Sequence, residues 1–303
     1  MLTVENLSVH FTKGLFRKKI KALDGLNLEV KDGDFFALIG QNGAGKSTAM
    51  YCFLGLIHPT AGNVKVFGET PELGTGIYDE IAYLPEEPHY DLYLTVEEAV
   101  TYYSSLYRKR VSAKEVADVL DRLGLSEFKD LKLSKCSKGM KQKTGIAQCI
   151  LNKPRLIFLD EPTRGLDPIA VMEVRDILVE LNRAGATIIM NSHVLSEIET
   201  LANKVAIIEK GRLVVQSALT DLLKLDSEVY VVEAALDGGS LPEYLTGVAK
   251  TERGMTGMVP RERFYDFMDY TKAAGVKIYE CRQKKMTLEE SFLSVLKGRS
   301  DNA

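Results

Sequence analysis

The sequence predicts an α/β fold with a mixed sheet, and three observations carry that expectation. Short apolar runs recur at strand length, at 35–39, 156–159, 187–190 and 205–208, and those at 156–159 and 187–190 are of the kind found in parallel strands covered on both faces. Segments with helical spacing lie between them, such as 171–182, which closes near Gly185. The first apolar run leads directly into a glycine-rich turn, GQNGAGKST at residues 40–48.

Taken in chain order, residues 1–80 alternate short apolar strands, including 27–30 and 64–67, with turns. From about 85 to 150 the pattern becomes helical. Thr95 followed by Glu98 forms a capping box ahead of Val96, Ala99, Val100 and Tyr103, and a second helix over 113–123 stops at Gly124. From about 155 the α/β alternation returns, and 205–208 with 213–215 reads as a hairpin across Lys210 and Gly211. Beyond 220 a strand is expected at 228–235, a helix at 261–274 after Pro260 and a strand at 276–281. A last helix is expected behind a Thr287 and Glu290 capping box. The expected division is 1–220, with a helical part at about 85–150, and 221–303 as an α+β accessory domain.

The glycine turn carries the chemistry. It fits G-x-x-x-x-G-K-[S/T], with Gly40, Gly45, Lys46 and Ser47 in the fixed places. A polyphosphate needs donors at close range, and glycines let the backbone wrap it because no Cβ blocks the approach. The amides of Gly43, Gly45, Lys46 and Ser47 are expected to form an anion nest at a helix N-terminus, within a binding stretch that includes Asn42, Ala44 and Thr48. Lys46 would reach the β- and γ-phosphates and the Ser47 hydroxyl would sit on Mg²⁺. The expected fold class is α/β, a P-loop NTPase core with a mixed sheet, an N-terminal antiparallel β subdomain, an inserted α-helical subdomain and a small C-terminal α+β extension.

LIFLDEP at 156–162 is the second element. Asp160 would hold Mg²⁺ and Glu161 would orient and polarise an attacking water. Two acids at a strand end read in isolation as a solvated loop or a helix cap. Beside a phosphate loop they read as the catalytic pair.

Composition excludes several classes. With 303 residues, 45% hydrophobic and 27% charged, the chain is that of an ordinary globular protein. Its 39 basic and 42 acidic residues leave a net charge of −3, so no nucleic-acid partner is expected. MLTVENLSVH does not read as a signal peptide, and no apolar run approaches the length of a membrane helix. Cys52, Cys136, Cys149 and Cys281 are dispersed without a CxxC spacing, so reduced thiols in a cytosolic protein are expected.

GQNGAGKST, the serine and glycine segment at 134–142, LDEPTRGLD at 159–167 and His193 after a strand together resemble the ATP-binding subunit of an ABC transporter. The resemblance spans about residues 1–220. It implies head-to-tail dimers closing on two ATP molecules, each held between one subunit's phosphate loop and the other's signature segment. It implies that Phe11 stacks on adenine, that Ser137 and Gly139 present the signature to the opposite γ-phosphate, that Asp167 reaches the dimer interface and that His193 bonds the γ-phosphate. The implied cofactors are ATP and Mg²⁺. The implied partners are integral membrane permease subunits, seated around 90–107, and a second ATPase copy, either identical or related. The implied location is cytoplasmic, peripheral on the inner face of the cell membrane. KGMKQK and the C-terminal segment resemble the bacterial exporter type. The accessory domain would support dimerisation or regulation.

Other readings stay open on these residues alone. Phe11 could be a core strand residue beside a basic insertion at 13–21, His193 a satisfied loop histidine, and Asp167 a helix cap. The usual signature is leucine, serine, glycine, glycine, glutamine; here it is Cys136, Ser137, Lys138, Gly139 and Met140. A Mg²⁺-coordinating glutamine is replaced by Glu86, which can bind Mg²⁺ or its waters but cannot donate as an amide does. The functional alternative is a soluble ABC-type ATPase or a nucleotide sensor without a transport role.

Overall fold

The computed structural model describes residues 1–13, 18–72, 74–223, 229–236, 241–284 and 286–300. The chain divides into two compact units, Met1–Leu219 and Thr220–Ala303. The first unit begins with β1 (Leu2–Lys13), β2 (Lys18–Val30), β3 (Phe35–Ile39), α1 (Lys46–Phe53), β4 (Ala61–Val66) and β5 (Ile81–Leu84). It continues with α2 (Val96–Ser105), α3 (Ala113–Arg122), α4 (Lys138–Leu151), β6 (Leu156–Asp160) and α5 (Pro168–Arg183). β7 (Thr187–Asn191), α6 (Leu195–Leu201), β8 (Lys204–Glu209) and β9 (Arg212–Ala218) complete it.

Six strands form a sheet in the order β5-β6-β7-β3-β8-β9. The first five run parallel, and β9 closes the edge antiparallel to β8. β3, β6 and β7 are buried along their whole length, as their unbroken apolar runs require of strands covered on both faces. A second, antiparallel sheet has the order β2-β1-β4. The two sheets share one core with α1, in which Leu2, Leu26, Phe36, Phe53 and Phe158 are essentially inaccessible. In the parallel sheet the C-terminal ends of β3, β5, β6 and β7 open on the same side, where α/β sheets bind ligands.

Helices α2, α3 and α4 pack on one another. Both short helices start as the sequence dictates. Thr95 Oγ1 accepts from the Glu98 amide at 3.2 Å while the Glu98 carboxylate accepts from the Thr95 amide at 2.8 Å. Ser112 and Glu115 repeat the exchange at the head of α3. Each box satisfies two amides that a helix N-terminus otherwise leaves without partners.

After the short α7 (Leu219–Leu222), the second unit comprises β10 (Val229–Ala234), β11 (Thr246–Thr251), β12 (Gly254–Pro260), α8 (Phe264–Ala273), β13 (Ile278–Gln283) and α9 (Leu288–Ser300). Its sheet is antiparallel in the order β11-β12-β10-β13. It has its own core of Val232, Ala234, Leu236, Leu245, Val259 and Phe267. The expected strand at 276–281 begins instead at Ile278. Val276 belongs to the end of α8: its amide bonds the Thr271 carbonyl and the Gly275 amide bonds that of Lys272, with Gly275 at φ +64°. That is a Schellman motif, in which the residue after the glycine is spent on capping. The helix itself starts at Phe264, after a 3₁₀ turn over Arg261–Arg263. The Thr287–Glu290 box heads α9 as expected. The tip of the basic insertion at 14–17 and the expected start of β10 at Glu228 lie outside the described residues.

Candidate functional site: a phosphate loop facing an acid pair

Between β3 and α1 the chain makes a curl that only glycine fits cheaply. Gly43 and Gly45 have φ of +80° and +107°. A Cβ on Gly45 would stand 2.6 Å from the Ala22 carbonyl oxygen, so β2 presses against the loop from behind. Gly40 is constrained by contact alone, because its Cβ would fall 2.3 Å from the Ile208 carbonyl oxygen in β8. Gly40→Ala is therefore expected to destabilise the first unit by about 1–3 kcal/mol through forced overpacking, read as a lower denaturant midpoint with parallel loss of ATP affinity.

The Lys46 ammonium lies inside the curl, donating to the Gly40 carbonyl at 2.7 Å and that of Gln41 at 3.2 Å. Burial lowers its pKa while the charges of Glu161 and Asp160 act to keep it protonated. Asp160, the last residue of β6, is only 4% exposed. Burial raises its pKa, opposed first by a hydrogen bond from Asn191 and more weakly by Lys46 and Ser47. The register that pairs Asp160 with Asn191 across β6 and β7 lets the Asn191 amide donate to the Asp160 carboxylate at 2.8 Å. The Asn191 Oδ1 is buried without a protein partner.

Glu161 turns sharply out of the strand at φ +51°, a conformation that costs a non-glycine residue energy and is found at functional sites. Its amide bonds the Asn191 carbonyl at 2.8 Å. Its carboxylate, 12% exposed, lies 2.7 Å from Nδ1 of the more open His193.

Residues 42–48, Glu86, Asp160, Glu161, Asn191 and His193 line one open cleft of about 630 Å³. The cleft thus gathers most of the residues singled out from sequence, from the ends of four parallel strands. Ile20, Lys21, Ala22 and Arg164 join them; neither these nor Asn191 had been singled out as site residues from the sequence. Gly40 lies behind the lining, in contact with β8. Phe11 does not line the cleft; it sits on β1 directly opposite Ile20, and both are about two-fifths exposed. Directly opposed residues of an antiparallel pair project from the same face, so Phe11 flanks the cleft beside Ile20. Glu86 does line it, as one half of an ion pair with Arg164.

Ser137 and Gly139 occupy a different pocket, of about 330 Å³, with Lys138, Gly165, Leu166 and Asp167. Ser137 caps α4, its Oγ accepting from the Met140 amide at 3.1 Å. Asp167 caps α5 by accepting from the amides of Ile169 and Ala170, both at 3.0 Å, and these bonds hold its carboxyl below the usual range. The helix-cap reading of Asp167 is thus correct, and it leaves the residue facing this second pocket.

A profile of the ABC transporter family matches residues 23–164. An uncharacterized ABC transporter ATP-binding protein of Nostoc sp. is 33% identical over 298 residues, covering 97% of this chain and 89% of the relative. The chain belongs to the ATP-binding proteins of ABC transporters. The bacitracin transport ATP-binding protein BcrA of Enterococcus faecalis is 38% identical over 96% of this chain and 88% of its own length. Among solved structures, an ATP-binding subunit of an ABC transporter superposes with a TM-score of 0.66 at 31% identity, covering 73% of this chain and 91% of that one. A dimeric ATP-binding cassette in a post-hydrolysis state with ADP and Pi gives 0.67 at 26% identity, covering 72% and 99%. As a member of this family, the chain is the ATP-binding and ATP-hydrolysing subunit of a transporter. The transport role is supported over that of a free ATPase or sensor.

Proposed function

We propose that this chain powers export through separate membrane-spanning subunits, using the cleft around Lys46 as its ATP site. The observation that carries this reading is the convergence of Lys46, Asp160, Glu161 and His193 on one cleft beside a glycine-rich curl. The loop amides and the Lys46 ammonium bind the phosphates. Glu161 orients a water and accepts its proton, and His193, bonded to Glu161, reaches the γ-phosphate as Glu161 shifts toward the water. Phe11 and Ile20 offer an apolar flank for the base.

The residues also fit Mg²⁺. Asp160 is a buried carboxylate with charge to neutralise, the Ser47 hydroxyl is beside it, and Mg²⁺ takes one or two carboxylate oxygens plus substrate phosphates. Ser47 and Asp160 would hold it, with Glu86 a further oxygen source at the rim. When bound, the ion supplies charge neutralisation at the β- and γ-phosphates.

No helix among the described residues is long and apolar enough to cross a membrane; the coupling proposed here runs through a docked membrane partner. A third, largely apolar groove of about 350 Å³ offers the seat, its apolar lining including Leu54, Leu56, Tyr83, Tyr103, Leu106 and Tyr107 and its polar lining Asp79 and Gln148. Leu56 and Leu106 are 59% and 67% exposed there, an apolar surface that fits a partner's inserted segment. Export is favoured over import because related proteins carry the names bacitracin transport and fluoroquinolones export. The test is co-purification of a multi-span membrane protein with the tagged chain from membranes. Leu106→Asp is expected to lower the recovered partner at least tenfold, with ATP affinity measured as the folding control. Full recovery of the partner would move the docking site elsewhere. The second unit is assigned to dimer support or regulation.

A further inference from the structure

Glu86 puts a carboxylate on the wall of the cleft, where an incoming nucleotide brings several negative charges. Like-charge repulsion there would oppose binding. Arg164, from the turn after β6, lines the same cleft and makes its ion pair with Glu86. That turn is fixed from within, since the Arg164 amide bonds the Glu161 carbonyl at 3.1 Å. The neighbouring acid, Glu87, is met by Lys138 at 3.8 Å. Glu86 and Glu87 are thus paired to cations that border the two pockets, Arg164 in the turn after β6 and Lys138 at the head of α4.

We propose that Arg164 is a positioning residue of the ATP site: by neutralising Glu86 it allows a carboxylate to stand at the rim of the phosphate pocket without repelling the triphosphate. The inference rests on ATP being the ligand of this cleft. It makes the harm done by losing Arg164 depend on Glu86 being there.

The experiment titrates the full-length chain with a fluorescent ATP analogue in EDTA, so that no metal contributes, alongside melting temperature. Arg164→Ala and Arg164→Gln are each expected to weaken binding about tenfold, and Arg164→Lys to keep most of the affinity. Adding Glu86→Gln to Arg164→Ala is expected to restore affinity to near the wild-type value. The ion pair is equally absent from the single and double variants, so a merely structural role would give no recovery. Wild-type affinity in Arg164→Ala, or a double variant as weak as the single, overturns the proposal. A wild-type chain that fails to bind the analogue even after Mg²⁺ is restored removes this cleft as the ATP site, and this inference with it; the wild-type titration alone separates the two failures.

Discussion

Glu161→Gln is expected to bind ATP with nearly unchanged affinity and to hydrolyse it about a hundredfold or more slowly, the usual worth of a positioned general base. The substitution keeps the shape of the side chain and removes only its ability to accept a proton. The argument is geometric before it is chemical. Glu161 leaves β6 at φ +51° with its amide tied to Asn191, so its carboxylate is held over the cleft by backbone that a solvated loop residue would not need. Its carboxylate meets Nδ1 of His193 at 2.7 Å, and an amide can keep that contact if the imidazole tautomer adjusts. Binding should therefore survive while turnover falls. The check is steady-state phosphate release beside equilibrium nucleotide binding. Equal turnover in the two proteins would remove Glu161 from the chemistry, and a joint loss of binding and turnover would make it a structural residue.

What could be read from the sequence follows the range of the forces involved. The phosphate loop was legible because its conformation is written in adjacent residues: Gly43 and Gly45 need positive φ, and Gly45 also needs the missing Cβ where β2 presses in. The capping boxes at Thr95 and Thr287 span three residues and were equally plain. Asn191 was not. Its role depends on β6 and β7 lying side by side in register with Asp160, which is a fact of sheet order. Arg164 and Glu86 likewise meet only because the turns after β5 and β6 are neighbours. The place of Phe11 was half legible, since its pairing with Ile20 decides which of the two lines the cleft. β11 and β12 escaped because TGVAKT and GMTGMVP hold no aromatic residue and are interrupted by glycines, which weaken a strand pattern. Those strands are held by pairing partners and not by local preference.

Ser137 and Gly139 lie in a pocket of their own, apart from Lys46, and this separation yields the sharpest expected result. If each ATP is held by the Lys46 cleft of one copy and the Ser137 pocket of another, neither pocket works alone. Lys46→Ala removes from the first the ammonium held inside the phosphate curl, and Ser137→Arg fills the second while costing α4 its cap, about 1 kcal/mol. Each variant alone should be nearly inactive as an ATPase. Mixed in equal amounts and allowed to exchange subunits, half the dimers of a two-fold pair become hybrids, and each hybrid has one site carrying both lesions and one carrying none. Activity should then return to roughly a quarter of the wild-type value for independent sites. If instead each chain used its own Ser137 pocket with its own Lys46 cleft, every site in the mixture would carry one lesion and activity would stay absent. Complementation thus tests the shared site without a structure of the dimer, because the two arrangements distribute the same two defects differently.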